Sequence, residues 1–237
     1  IPGRWEEPRR AQANDFGRGV AQRIFRPLAR YCLSYERDIL IHFKMEIETH
    51  PFQPWLPHDS TLLMLGTFPP SEKRWCMPWY YPNYTNDMWR IFGVVFFNDP
   101  NHFVDQPRRT YKLQELKQFL LEKRIAIFDT ALRIERTKGT ASDKDLRIVE
   151  QADIDHLLEQ IPQCKAILTA GQLATQTLAN HYDISIKNLK MGSYTTFIFH
   201  GRSVRLYRQP SSSRAYPLSL LKKAEFYRQM FVELREI

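Results

Sequence analysis

The chain has few cysteines and no long apolar run, and both shortages exclude classes of protein. Its 237 residues include three cysteines, Cys32, Cys76 and Cys164, which are far apart and form no CxxC pair. A structural zinc site or a four-cysteine iron–sulfur cluster is therefore not expected. Scattered thiols fit a reducing compartment, so we expect a cytoplasmic protein. No apolar run approaches the roughly 18 residues that a membrane span needs, so we expect no membrane partner.

The chain also lacks internal repeats, low-complexity tracts and the marks of a secretory signal. Its beginning is rich in arginine but has no apolar h-region and no cleavage site. Residues 1–44 carry nine basic side chains, eight of them arginine, against five acidic ones. They are either a basic arm that binds nucleic acid or a disordered or non-native extension. We expect the extension, followed by one domain over 45–237.

The charge that is present is mostly positive. The formal net charge is +8 and the isoelectric point is about 9.4. A basic surface favours polyanions, chiefly nucleic acid or an anionic membrane. Many soluble proteins are equally basic, so the charge alone does not identify the partner.

Apolar patterning predicts alternating strands and helices. Short apolar runs predict strands at Thr61–Leu65, Ile125–Phe128, Lys165–Ala170, Thr195–His200 and Val204–Tyr207. Helical spacing predicts helices at Asn86–Phe96, Tyr111–Lys123, Ala152–Gln160, Gly171–His181 and Pro217–Arg235. The polar stretch Glu135–Glu150 is expected to be an exposed loop. This order predicts an α/β fold, a three-layer α/β/α sandwich with a mainly parallel central sheet.

The unusual residues of the chain follow the predicted strands. In a parallel sheet, ligands bind beyond the carboxyl ends of the strands. Four segments occupy those positions: Gly-Thr-Phe-Pro-Pro from Gly66, Asp-Thr-Ala from Asp129, Gly-Gln from Gly171, and Gln-Pro-Ser-Ser-Ser-Arg from Gln209. We expect these four loops to converge at one edge of the sheet and form a site.

With these motifs the chain resembles the uracil-DNA glycosylase superfamily. The resemblance covers roughly Met45–Leu234 and is strongest in the branch of mismatch-specific uracil/thymine and hypoxanthine-DNA glycosylases. Four motifs in the right order carry it: Gly66–Pro69, Tyr80–Trp89, Ile127–Thr130 with Arg133, Glu135 and Arg136, and Pro210–Arg214. The resemblance implies a DNA glycosylase that acts in base excision repair.

The resemblance also implies catalytic residues. Many members of the superfamily carry a catalytic Asp or Asn two residues after the glycine of the first motif, where this chain has Phe68. The hypoxanthine branch uses the Asn of its aromatic loop, which corresponds to Asn86. Asp87 stands where that branch has Ala, so it adds a second candidate catalytic group. Asn86 instead could cap the following helix, and Asp87 could be a first-turn residue that favours the helix dipole.

Other positions correspond to contacts with the base and the DNA. The base-binding candidates are Gly66, Thr67, Phe68, Tyr81 and Asn83, and the DNA-binding candidates are Ser211, Ser212, Ser213 and Arg214. A ring such as Tyr81 recovers part of the energy of base flipping, since stacking contributes roughly 1–3 kcal/mol. Serine hydroxyl groups position phosphates. Tyr80 and Tyr81 could instead pack in the core, and the serines could form an ordinary turn.

The sequence as a whole favours a monomeric, monofunctional glycosylase associated with the nucleoid. We expect uracil or hypoxanthine as the excised base, with neither a metal nor an organic cofactor. No lysine stands in the aligned catalytic loops to form a Schiff base, so no lyase step is expected. One alternative is a non-catalytic protein of the same fold that binds nucleic acid or nucleotides. Another is a serine hydrolase using His200, although the chain has no GxSxG elbow.

Overall fold

The structure is a computed structural model that describes residues 47–137 and 145–235. All of them belong to the second of two units into which the chain divides, Glu46–Ile237. The arginine-rich residues 1–44 lie outside the described ranges, so the expectation of an extension stays a prediction.

The central sheet has five strands, four of which are parallel. Its order is β5 (Ile125–Asp129), β2 (Leu62–Gly66), β8 (Ala166–Ala170), β10 (Arg202–Gln209) and β9 (Tyr194–Phe199). Only β9 is antiparallel to its neighbour. Every residue of β2, β5 and β8 is buried, as expected for parallel strands covered on both faces. The predicted α/β class with a mainly parallel sheet is therefore confirmed.

The described ranges contain five α-helices and a short 3₁₀ turn at Glu72–Arg74. The helices are α1 (Met88–Phe97), α2 (Leu113–Glu122), α3 (Ile154–Gln160), α4 (Gln172–His181) and α5 (Leu220–Leu234). The predicted strands and helices are all present, with ends shifted by at most three residues. The largest shift is at α5, which begins after Ser219 rather than at Pro217. The Ser219 side chain accepts a hydrogen bond from the Lys222 N–H, so serine caps the helix. In the described part of the chain, no helix has the length and apolar character of a bilayer span.

The prediction of an exposed loop over Glu135–Glu150 is wrong at both of its ends. Strand β6 (Ala131–Arg136) lies between β1 (Ile47–Thr49) and β7 (Leu146–Gln151) in an antiparallel sheet. The polar side chains that suggested a loop form cross-strand ion pairs. Arg147 contacts Glu135, and Arg133 contacts Glu150 at 3.4 Å. Opposite charges that face each other stabilise a sheet without an apolar pattern.

A two-stranded hairpin projects between α1 and α2. It consists of β3 (Val104–Asp105) and β4 (Thr110–Tyr111). Its base is fixed to neighbouring loops, because the Thr110 hydroxyl donates to the Cys76 carbonyl at 2.6 Å. Tyr111 lies with its hydroxyl oxygen 3.1 Å from the Tyr84 carbonyl and 2.9 Å from the Asn86 carbonyl. The hairpin is thereby attached to the aromatic loop that precedes α1.

Candidate active site

Four loops converge at one edge of the central sheet, as predicted. The strand ends Gly66 and Asp129 are direct partners in register, and so are Ala170 and Gln209. The loops that leave these strands are joined to one another. The Gly66 and Thr67 carbonyls accept hydrogen bonds from the N–H groups of Thr130 (2.9 Å) and Ala131 (3.1 Å).

The glycine of the first loop is required by close packing. A Cβ atom at Gly66 would lie 2.3 Å from the Asp129 Oδ1 and 3.1 Å from the Tyr81 hydroxyl oxygen. Real Cβ atoms do not approach a carboxylate oxygen this closely, so any other residue at position 66 would displace Asp129. Gly66 therefore lets the carboxylate of β5 lie directly over the end of β2.

The rest of the first loop is held by a buried arginine. Arg136 makes a bidentate ion pair with Glu48 at 2.8 and 2.9 Å, and donates to the Pro69 carbonyl at 3.1 Å. Its guanidinium also lies 6.0 Å from the centre of the Phe68 ring. Bidentate arginine pairs have a defined geometry, so Arg136 holds the Phe68–Pro69 backbone in a fixed position.

A buried histidine–aspartate pair lies behind this loop, and sequence reasoning missed its histidine. The His50 Nε2 is 2.9 Å from the Asp129 Oδ2, and both side chains are almost fully buried. The Asp129 carboxylate oxygen accepts from Nε2, while Nδ1 lies 3.0 Å from the Phe52 carbonyl oxygen and 3.2 Å from the Phe52 nitrogen. His50 thus fixes the orientation of the Asp129 carboxylate, whose other oxygen faces Gly66.

Aromatic rings enclose this pair. The centroid of the His50 ring lies 4.7 to 6.1 Å from those of Phe128, Phe68, Phe52 and Tyr80. Tyr80 is buried and donates to the Gln53 carbonyl, so it packs in the core. Burial raises the pKa of Tyr80, and the negative charge of Asp129 raises it further. Only the position of Asp129 at a strand end could have identified the pair, since His50 reaches it through the pairing of β1 with β6.

Tyr81, by contrast, is half-buried and held in an unusual backbone conformation. Its φ is 49°, in the left-handed region, which costs about 1–2 kcal/mol for a residue other than glycine. The ring packs edge-on against Trp89 with centroids 5.9 Å apart. The ring therefore extends from its contact with Trp89, which is on α1, towards the loop of Gly66.

The two asparagines of the aromatic loop have different surroundings. The Asn83 Oδ1 accepts hydrogen bonds from the N–H and the hydroxyl of Thr85, within its own turn. The Asn86 Oδ1 accepts from the Met88 N–H at 2.9 Å, so its side chain satisfies the first backbone N–H of α1, although the N-cap position itself is Asp87. Its oxygen keeps a second lone pair, and its amide nitrogen carries two donors. The capping and catalytic interpretations of Asn86 are therefore compatible.

Asp87 is buried, and cations contact both of its oxygens. The Lys223 Nζ lies 2.9 Å from Oδ2, and the Arg214 Nε lies 3.0 Å from Oδ1. Lys223 itself is fully buried on α5 and also donates to the Ser213 carbonyl at 2.7 Å. These contacts favour a positioning role for Asp87. Sequence reasoning missed Lys223 because it lies 136 residues downstream.

The serine loop, Ser211–Ser213, is also hydrogen-bonded to Asp87. The Asp87 N–H donates to the Ser212 carbonyl at 2.9 Å, and Ser212 is buried. The half-buried Ser211 and Ser213 accept backbone N–H groups at their hydroxyl oxygens, which leaves each hydroxyl proton as a donor. Arg214 is 62% exposed, so most of its side chain extends into solvent. Asp87 and Lys223 therefore join the candidate catalytic loop to the candidate DNA-binding loop.

The serine hydrolase alternative is excluded by topology. His200 lies in the turn before β10, whereas the serine loop follows the end of that strand. The eight residues of β10 separate the two by about 26 Å, at roughly 3.3 Å per residue. His200 therefore cannot act as a base for these serines.

Within 47–137 and 145–235, no cluster of three or more His, Cys, Asp or Glu side chains could hold a metal ion.

Comparison with known proteins supports the fold. No family model matches the chain, and no curated protein matches its sequence. Among solved structures, one that matches is a solution NMR structure described as a "putative Uracil DNA glycosylase" from Methanosarcina acetivorans. The match has a TM-score of 0.52 and 19% identity, and covers 80% of this chain and 99% of the other. By its sheet topology and this match, the chain shares the α/β fold of that structure.

Proposed function

We propose that this protein is a monofunctional DNA glycosylase that removes uracil or hypoxanthine from DNA by hydrolysing the N-glycosidic bond. The observation that carries the proposal is the bonding of the serine–arginine loop to the Asn86–Asp87 loop through Asp87. A glycosylase needs a phosphate-gripping loop beside the group that acts on the flipped nucleotide. We also propose that the helices cover both faces of the central sheet in a three-layer sandwich. Within the glycosylases, we propose that the protein belongs with the mismatch-specific and hypoxanthine branch.

Base recognition is assigned to the carboxylate that His50 orients. Uracil and hypoxanthine both carry a ring N–H beside a carbonyl, where cytosine and adenine present a lone pair. The Asp129 carboxylate is an acceptor, so it favours the deaminated bases over their parents. Tyr81 and Phe68 supply ring faces for stacking, and Asn83 contributes from the same aromatic loop as Tyr81. The backbone N–H of Phe68 is suited to stabilise the anion of the departing base.

Hydrolysis is assigned to Asn86. Departure of the base leaves positive charge on the sugar, and a side-chain amide can position water towards it. Asp87 then acts by holding the serine–arginine loop rather than by activating water. Lys223 is fully buried and bonded to Asp87 and the Ser213 carbonyl, so it is poorly placed as a nucleophile for a lyase step. The proposed reaction is thus hydrolysis alone.

The test is a strand-cleavage assay on matched oligonucleotides. Duplexes that contain one uracil or hypoxanthine are incubated with the protein, treated with alkali and compared with duplexes that contain cytosine or adenine at the same position. We expect alkali-dependent cleavage of the deaminated substrates only. Cleavage without alkali would contradict the monofunctional assignment. Tight DNA binding without any cleavage would show instead a non-catalytic protein of this fold.

Arg214 is proposed as the wedge that fills the space of the flipped nucleotide. A wedge opposes re-stacking, so its loss is felt most where the target base is well paired. We expect Arg214→Ala to slow single-turnover cleavage of duplex about tenfold, or roughly 1.4 kcal/mol of barrier, and to change single-stranded cleavage little. Arg214→Met keeps the apolar stem and should retain more of the duplex activity than alanine does. Equal losses on both substrates would show that Arg214 is only a phosphate contact.

A further inference from the structure

A second cationic cluster lies beside the candidate active site, at the ring of Tyr84 in the loop that precedes α1. The guanidinium of Arg90 lies 5.3 Å, and that of Arg109 5.4 Å, from the centre of the half-buried Tyr84 ring. Arg90 is in the first turn of α1, and Arg109 is exposed in the turn of the β3–β4 hairpin. Two arginines from separate elements thus meet at one aromatic ring.

The cluster carries positive charge that the described residues do not neutralise. Neither Arg90 nor Arg109 forms an ion pair with a carboxylate in the described ranges, and Arg90 donates instead to the neutral side chain of Asn101 at 2.8 Å. The neighbouring Arg108, by contrast, is paired with Asp105 at 2.9 Å. The first turn of a helix already has positive potential from the helix dipole, so an arginine there is unfavourable unless an anion is near. Arg90 and Arg109 therefore bring two positive charges to one ring, and a bound anion would offset the repulsion between them.

The cluster is attached to the candidate catalytic loop. Tyr84 is two residues before Asn86, and the Tyr111 hydroxyl lies against the backbone carbonyls of both. Burial raises the pKa of this hydroxyl, so it stays protonated and remains a donor. The Thr110–Cys76 hydrogen bond holds the same hairpin at a second point. These hydrogen bonds therefore hold the hairpin that carries Arg109 in a fixed position next to Asn86.

We propose that Arg90, Arg109 and the Tyr84 ring form a phosphate-binding surface for the DNA strand beside the flipped nucleotide. The proposal rests on the proposed glycosylase function, which places that nucleotide at Asn86. Arginine matches phosphate bidentately and stacks on aromatic rings, as this arrangement requires. Tyr84 and Arg90 are two and four positions from Asn86, and a DNA strand carries one phosphate for every 3.4 Å of axis, so the cluster is suited to a phosphate within a few nucleotides of the target. Together with Arg214, it would add a second cationic contact to the strand near the extracted base.

The test measures DNA binding of Arg109→Gln by fluorescence anisotropy over a salt series, without relying on cleavage. We expect roughly tenfold weaker binding to a duplex, since a charge-assisted contact is lost, and a salt slope reduced by about one. Arg109→Lys should keep the salt slope. The matched control is Arg205→Gln, which removes the same charge. Like Arg109, Arg205 lies against an aromatic ring, with its guanidinium 5.0 Å from the ring of Tyr194. It pairs in register with Ala166, the first residue of β8, and therefore lies at the end of the strands opposite the candidate site.

A phosphate scan identifies the contact. Duplexes with a single neutral methylphosphonate at successive positions around the target are bound to wild type and to Arg109→Gln. We expect one position to weaken binding of the wild type and to have no further effect on the variant, whose binding partner is already lost. If Arg109→Gln binds every duplex like Arg205→Gln, or if the wild type binds no DNA, the inference is overturned. If DNA is bound in this way but no base is removed, the glycosylase function fails while the phosphate surface stands.

Discussion

Replacement of Asn86 by alanine is expected to slow single-turnover base excision at least tenfold. A positioned acid–base or water-orienting group contributes about 10²- to 10⁴-fold, so the expected loss is at the cautious end of this range. The side chain also caps α1 through the Met88 N–H, and removal of a cap lowers the free energy of unfolding by about 1 kcal/mol. A loss of activity in Asn86→Ala alone would therefore mix two causes.

The control for Asn86 is a variant that keeps the cap. Serine at position 86 can still accept from the Met88 N–H but has no amide, so Asn86→Ser should unfold like the wild type and remain as slow as Asn86→Ala. Asp87→Asn, measured in parallel, reports whether the carboxylate contributes to the chemical step. Wild-type rates in Asn86→Ser would show that Asn86 is only a capping residue and would remove it from the mechanism.

Among the substitutions proposed here, replacement of Lys223 by methionine is expected to lower the free energy of unfolding the most. Methionine has similar length, but it leaves the buried Asp87 carboxylate paired only with the exposed Arg214. Removal of one partner from a buried ion pair costs about 3–5 kcal/mol, and we expect the lower part of this range because Arg214 still contacts the other oxygen of Asp87. Urea unfolding should show a decrease of that size. Lys222→Met is the matched control, since Lys222 is exposed and paired with Glu225 on the surface, and it should change stability by less than about 0.5 kcal/mol.

A double variant separates the charge from the packing. Asp87→Asn removes the carboxylate charge, so combining it with Lys223→Met should be less destabilising than the sum of the two single changes. Additive losses, or a Lys223→Met protein as stable as the wild type, would mean that the Asp87–Lys223 contact does not hold the serine–arginine loop. Weakened DNA binding in Lys223→Met, without a change at Lys222→Met, is expected because the Ser213 carbonyl also loses its donor.

The sequence alone was sufficient for the central sheet, the helices and the edge of the sheet at which the site forms. Buried strands such as β5 and helices such as α1 have apolar patterns that depend on local spacing, and the order of strands and helices determines which loops share an edge. Gly66 and the serine loop could therefore be placed together from the sequence, and the family resemblance added Asn86 to them. The β6–β7 pair was not found, because its strands are stabilised by ion pairs across the sheet and have no apolar alternation.

Only the tertiary structure decided which side chains contact one another at that edge. His50 orients Asp129 through a pairing 79 residues apart, and Lys223 neutralises Asp87 from a helix 136 residues downstream. Neither contact leaves a periodic or local signal, since each depends on how β1 and α5 pack against the rest of the domain. The physical reason is that periodicity reports whether a side chain faces the core or the solvent, whereas hydrogen bonds and ion pairs between distant segments form only after those segments have packed.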